Sequence, residues 1–192
     1  PWQVLHMTLF EVSLPEVADQ DGREHQLSEL IAMMEQFYAG MQSVGNHKGV
    51  DHYVLEIGLS DKSDDIVFYV AVPDAFTDLF EKQILSLFPN AVLTEQVHDY
   101  NIFVDDGVSL VSTAKLKKHP VYPLREAESF QSDPLAVLLN AFSKIEREGG
   151  GASLQLMIKS TTTRYTDRYE SIIKRIRDGA RARDAIACLL YT

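Results

Sequence analysis

The chain has 192 residues, of which 45% are hydrophobic, and its formal net charge at pH 7 is -10. This composition excludes a disordered tail, because it can bury a core, and no apolar run reaches the roughly 18 to 20 residues that cross a bilayer. The opening residues lack the charged segment of a signal peptide, and the single cysteine, Cys188, excludes an internal disulfide framework and a cysteine-based zinc site. We therefore expect a soluble protein of a reducing compartment, the cytoplasm, with no membrane span of its own.

The first half of the sequence alternates strand and helix patterns. Period-two or continuous apolar runs predict strands over 4–14, 53–59, 66–72 and 91–97. Apolar residues at helical spacing predict a helix over 25–44 and another that Asp74 caps and Pro89 ends. The order βαββαβ is that of a ferredoxin-like sandwich, an α+β fold in which two helices cover one face of a four-stranded antiparallel sheet. We expect residues 1–104 to form this domain.

The second half predicts a smaller βαβα unit over residues 105–192. Its elements are a strand over 108–116, a helix that starts at Asp133-Pro134, a strand over 153–159 and a last helix that Gly179 ends. Asp133 is expected to cap the first of these helices. The predicted buried stripe of the last helix consists of Tyr165, Tyr169, Ile172, Ile173 and Ile176.

The charges are distributed unevenly along the chain. Residues 1–110 have four basic and 19 acidic side chains, net -15, whereas residues 111–192 have 14 basic and nine acidic side chains, net +5. The candidate docking surface lies around the polar side of the last helix and consists of Arg164, Arg168, Lys174, Arg175 and Arg177. A solvated helix face, a surface that docks onto acidic protein, and a nucleic-acid contact all agree with this pattern.

No pattern in the chain predicts a catalytic, cofactor-binding or metal-binding residue. The glycines at 149–151 follow a helix and precede a strand, the reverse of a phosphate-binding loop, and no lysine follows them directly. The densest histidine set, His47 and His52 with Asp51, lacks metal-ligand spacing, and a surface loop accounts for it better. Phe68 and Tyr69 lie on a predicted central strand without the basic and glycine residues of an RNA-recognition motif, so we expect them to pack in the fold.

Several segments together resemble a known family. They are the opening PWQVLHMTLFEVSLP, the run IVFYVAVPD with its helix ending near LFPNA, the stretch TEQVHDY, and the block PLREAESFQSDPLAVLLNAFSKIEREGGGASLQLMIK. These segments, over roughly residues 1–160, resemble the amino-terminal region of type IV secretory, conjugation-type ATPases, in which an α/β region precedes a HerA/FtsK-like motor. The block around Asp133-Pro134 is the most specific part of the likeness.

The resemblance implies an assembly or docking domain carried upstream of a motor, with protein partners such as like domains in a ring or a membrane-bound secretion component. It also implies a place at the inner face of the membrane, reached through upstream sequence. No Walker sequence is present, so ATP hydrolysis is transferred to no residue, and the chain is either part of a longer protein or a stand-alone relative. A nucleic-acid-binding module that uses the basic last helix is the alternative, and an enzyme without a recognisable motif is a third.

Overall fold

The computed structural model describes residues 6–14, 27–44, 52–60, 65–97, 106–117, 134–145, 150–160 and 164–190. The chain divides into two compact units. The first, the sheet unit, comprises Pro1–Ser109 and Leu138–Ser160, and the second, the helical unit, comprises Leu110–Val137 and Thr161–Thr192.

The sheet unit contains one five-stranded antiparallel sheet. Its strands are β1 (Met7–Ser13), β2 (Tyr53–Leu59), β3 (Ile66–Pro73), β4 (Val92–Gln96) and β5 (Ala152–Ile158). They lie in the order β4-β1-β3-β2-β5, and every neighbouring pair is antiparallel. The predicted α+β class is therefore confirmed, and β3 lies at the centre of the sheet, as its apolar sequence predicts.

Two helices cover one face of this sheet. They are α1 (Leu27–Gly40), which continues as a 3₁₀ turn over Met41–Ser43, and α2 (Thr77–Leu87), which a 3₁₀ turn over Asp74–Phe76 precedes. The register pairs Phe10 with Val70 and Thr8 with Val72. Alternate residues of a strand point to the same face of a sheet, and these residues point to the face that carries the helices. Phe37 and Met41 from the first helix and Phe80 from the second pack against them as one buried cluster.

The strand predicted over 153–159 does not belong to a separate second unit. As β5 it pairs with β2, with Gln155 opposite Glu56 and Leu156 opposite Leu55, and it forms an edge of the sheet. The strand predicted over 108–116 is wrong, because residues 107–116 form neither helix nor strand and their side chains are exposed. An alternating pattern becomes a strand only where another strand supplies backbone hydrogen bonds, and none of the described strands pairs with this segment.

The predicted cap at Asp74 is also wrong. The turn over Asp74–Phe76 and the helix after it have no side-chain cap hydrogen bond at their N-caps. The Asp74 carboxylate instead accepts a hydrogen bond from the hydroxyl of Thr8 on β1, at 2.9 Å. Helix α3 (Pro134–Phe142) begins at Pro134, the position that the sequence predicts, while its expected cap, Asp133, lies outside the described residues.

The helical unit contains two further helices. They are α4 (Arg164–Arg177) and α5 (Ala182–Leu190). Ile172 of the first helix packs with Ala185 and Ile186 of the second, and these three residues form a small buried cluster, against which Tyr169 and Ala180 pack.

Candidate docking surface

The turn between α4 and α5 is built around Gly179. Its φ of 98° lies in the left-handed region, which costs glycine little because it has no Cβ. The amide of Gly179 donates to the carbonyl of Ile176 at 3.0 Å, and the amide of Ala180 donates to the carbonyl of Arg175 at 3.0 Å. This pair of bonds is a Schellman motif, and it confirms the helix stop that the sequence predicts at Gly179.

Five cationic side chains surround this turn, and all of them are exposed. They are Lys174, Arg175 and Arg177 in the last turn of α4 and Arg181 and Arg183 just after the glycine, and we call them the basic corner. Asp178 is the one acidic residue between positions 174 and 183. Cations in the last turn of a helix also interact favourably with its dipole, so part of this arrangement stabilises α4 itself.

The predicted docking residues are only partly within the described side chains. Lys174, Arg175 and Arg177 are exposed, whereas Arg164 and Arg168 lie on α4 but their side chains are outside the described set. At 100° per residue, Arg175 lies about 60° from buried Ile172 on one side, and Arg177 about 140° from it on the other. The cations thus form a belt around the end of the helix rather than a single row.

Two isoleucines that the sequence predicts in the buried stripe are exposed. Ile173 is 47% exposed and Ile176 is 41% exposed, whereas Ile172 is 3% exposed. Ile172 packs with Ala185 and Ile186 of α5 in the described buried cluster, and neither Ile173 nor Ile176 belongs to that cluster. The expectation of a broad buried stripe is therefore wrong, and the exposed Ile173 lies about 40° from Arg177 around the helix.

This combination of side chains is suited to contact with another protein. Exposed isoleucines next to cations form an apolar centre with a charged margin, which is the composition of protein interfaces. Duplex DNA, by contrast, is held mainly through contacts of basic side chains with phosphates. Sequence reasoning missed Ile173 and Ile176 as surface residues because a helical wheel gives the direction of a side chain but not the width of the element that covers it.

A polar row crosses the sheet on the face that α1 and α2 leave uncovered. The strand registers place Glu11, Tyr69, Glu56 and Gln155 side by side across four strands. Glu56 is buried and accepts hydrogen bonds from Ser153 and, at 3.1 Å, from the amide of Gln155, and Glu11 accepts from the amide of Gln96 at 3.0 Å. Each edge strand is thus tied to its neighbour by an amide-to-carboxylate bond, which is a structural role.

The predicted packing of Phe68 and Tyr69 is half correct. Tyr69 is buried on this polar face, whereas Phe68 is exposed on the face that carries the helices. Phe68 faces the same way as Val70 and Val72, although its register partner Val12 is buried in the core cluster.

Two kinds of feature are absent from the described ranges. There, no three His, Cys, Asp or Glu side chains come together as candidate metal ligands, and no helix has the length and apolar character needed to cross a bilayer. His52 is partly buried, and His47 and Asp51, the other members of the histidine set, lie outside the described residues.

Comparison with known proteins adds no relative. No protein-family model, no curated protein and no solved structure matches this chain.

Proposed function

We propose that this chain is a non-catalytic docking domain that uses the end of α4 to bind an acidic protein surface. The observation that carries the proposal is the exposed pair Ile173 and Ile176 beside the basic corner. Apolar side chains supply binding free energy when they leave water, and surrounding charges select the partner and speed its approach. The sequence resemblance to the region upstream of the motor in type IV secretion or conjugation ATPases supports the same role, that of an assembly module.

The proposal includes a ferredoxin-like arrangement for the first four strands. Its support is the element order βαββαβ together with the strand order β4-β1-β3-β2. The two helices lie on one face, as that arrangement requires. Strand β5 is an addition at the β2 edge.

The charge distribution of the chain favours one class of partner. Residues 1–110 have a net charge of -15, so a second copy of the chain offers an acidic surface that complements the basic corner. Contact between different surfaces of two copies is heterologous and builds rings or open chains. We therefore expect self-association that weakens with salt, because exposed charge pairs are screened over about 8 Å at physiological ionic strength.

Sedimentation at low and high salt tests this proposal. We expect Lys174→Glu/Arg177→Glu to abolish the salt-sensitive association, since it reverses two charges of the basic corner. The matched control is Lys115→Glu/Lys117→Glu, which makes the same charge change at two exposed lysines elsewhere and is expected to leave association unchanged. A chain that is monomeric at low salt, or equal loss in both variants, would overturn the proposed surface.

A nucleic-acid module is the second candidate, and the density of exposed cations between 174 and 183 favours it. The substitution Ile173→Ser/Ile176→Ser separates the two candidates. Protein docking should lose its apolar centre, whereas phosphate contacts should remain. Salt-dependent binding to duplex DNA that survives the isoleucine substitutions and is lost in Lys174→Glu/Arg177→Glu would establish the nucleic-acid function instead. Measured turnover of ATP with magnesium would contradict the non-catalytic part of the proposal.

A further inference from the structure

The two edges of the five-stranded sheet differ in how well they are protected from pairing with another strand. Strand β4 is five residues long, includes Glu95 and follows Pro89 closely. Short length and charge are common protections of a sheet edge. Strand β5 has seven residues, ASLQLMI, with no charge, proline or glycine, and none of the described strands pairs with its outer side. It therefore lacks the protections that β4 has.

The side chains of β5 are exposed on both faces of the sheet. Leu154 is 42% exposed and Leu156 is 55% exposed on the face that carries the helices, and Met157 is 69% exposed on the other face. The strand is nevertheless fixed in position. Glu56 accepts hydrogen bonds from Ser153 and Gln155, and the Ser160 hydroxyl lies 2.7 Å from the carbonyl oxygens of Gln42 and Val44. A preorganised strand with an open edge needs little ordering before it pairs.

We propose that the outer edge of β5 pairs with β5 of a second copy of this chain, in an antiparallel, two-fold arrangement centred on Gln155. The strand sequence is self-complementary about this centre. On the helix-bearing face the two-fold places Leu154 opposite Leu156 and Ala152 opposite Ile158, so that every cross-strand pair is apolar. On the other face the two Gln155 side chains meet, and Ser153 lies opposite Met157.

Charge does not oppose this pairing. Along the chain, the described charged residue nearest to β5 is Lys159, and the two-fold places it opposite Gly151 of the second copy. Across the sheet it is Glu56, which is buried on the inner side of β5 and accepts hydrogen bonds from Ser153 and Gln155. The two Lys159 side chains then lie at opposite ends of a strand pair about 23 Å long, well beyond the screening distance of about 8 Å. Because the chain as a whole is acidic, salt should strengthen this association, whereas salt weakens docking through the basic corner.

The size of the contact sets the expected affinity. A single strand pair of this length buries less surface than the roughly 1,200 Å² at which stable interfaces begin. We therefore expect a reversible dimer whose population changes over about 10 to 500 μM chain, and sedimentation equilibrium in about 0.5 M NaCl should detect it. Leu156→Lys introduces a charge into the apolar pair and should return the chain to monomer. The same substitution at Leu85, which is exposed on α2, is the control and should leave the dimer intact.

Cysteine cross-linking tests the register. In a Cys188→Ser background, Gln155→Cys places each thiol opposite its own copy, where the Cα separation of about 5 Å suits a disulfide. Met157→Cys is the control, because residue 157 lies about 13 Å from its own copy in this register although it is more exposed than its neighbours. We expect Gln155→Cys to cross-link at least about tenfold faster than Met157→Cys.

Three results would overturn the inference: a monomer at high salt over the whole concentration range, a dimer unaffected by Leu156→Lys, or equal cross-linking of the two cysteine variants. Ser153 still donates to Glu56 in the Gln155→Cys variant, so β5 keeps a bond to the sheet. Failure of this dimer leaves the proposed function standing, because Lys174→Glu/Arg177→Glu tests the basic corner at low salt and does not alter β5.

Discussion

The described residues of the sheet unit and of the helical unit differ most in how many apolar side chains they bury together. In the sheet unit, eleven described residues form one buried cluster across three strands and two helices. Among the described residues of the helical unit, the buried cluster consists of Ile172, Ala185 and Ile186. A fully buried aliphatic side chain contributes about 1.5 to 3 kcal/mol, while ordering the backbone costs roughly 1 to 2 kcal/mol per residue.

The two units also differ in where their apolar side chains lie. The two helices and three central strands of the sheet unit bury a large apolar cluster, whereas α4 leaves Ile173 and Ile176 on the surface near five cations. A segment with few buried contacts opens locally at a lower free energy than a packed core. We therefore expect the helical pair to be the less stable of the two regions. Its outer surface is the one proposed to bind an acidic partner, whereas β5 of the sheet unit is the strand proposed to pair with a second copy.

The largest expected effect is that of Phe80→Ala in the sheet unit. Phe80 is fully buried, with its ring centroid 5.2 Å from that of Phe10 on β1 and 6.3 Å from that of Phe37 on α1. Removing the ring leaves a cavity where three elements meet, so we expect a loss of about 3 to 5 kcal/mol in the free energy of unfolding. Urea unfolding followed by circular dichroism measures it. Leu85→Ala, on the exposed side of the same helix, should cost less than about 1 kcal/mol.

A smaller and more local effect is expected for Ile172→Ala in the helical unit. The side chain is buried in a cluster of three, and its removal should cost about 2 kcal/mol, the lower end for such truncations, because a small cluster can collapse around the gap. Amide hydrogen exchange should accelerate in α4 and α5 while the strands stay protected. Ile173→Ala, one residue away and exposed, is the control. Faster exchange throughout the sheet in Ile172→Ala would mean that the two regions unfold together and that the comparison is wrong.

Sequence patterns predicted most of the elements but not the sheet that they build. The boundaries of β2, β3, β4 and β5 differ by at most one residue from the predicted ranges, because period-two patterns report directly which side chains leave water. The same pattern gives no information on the neighbour of a strand. Gln155 bonds to Glu56, 99 positions away in the sequence, and no local feature encodes that pairing. For the same reason the pattern at 108–116 suggested a strand that has no partner.

The candidate docking surface was likewise only half predictable. Charge counting found Lys174, Arg175 and Arg177, since ionised side chains stay in water in most settings. The exposure of Ile173 and Ile176 depends on how much of α4 the next helix covers, which is a property of packing and not of the α4 sequence.

The smallest effect at neutral pH, and the most selective probe of the sheet unit, is expected for Tyr53→Phe. Burial raises the pKa of the Tyr53 hydroxyl to about 12, with a further contribution from the charge of Tyr38, and burial also raises the pKa of Tyr38. Both tyrosines belong to the sheet unit. A folded pKa above the unfolded value of about 10 stabilises the fold fully below pH 10, and this stabilisation is lost as the pH rises through about 12.

Tyr53→Phe has no proton to lose there, so its sheet should unfold at a higher alkaline midpoint than that of the unsubstituted chain, while the two differ little at pH 7. Circular dichroism across pH 9 to 12.5 measures the midpoint, and equal midpoints for the two chains would show that ionisation of Tyr53 does not limit the stability of the sheet.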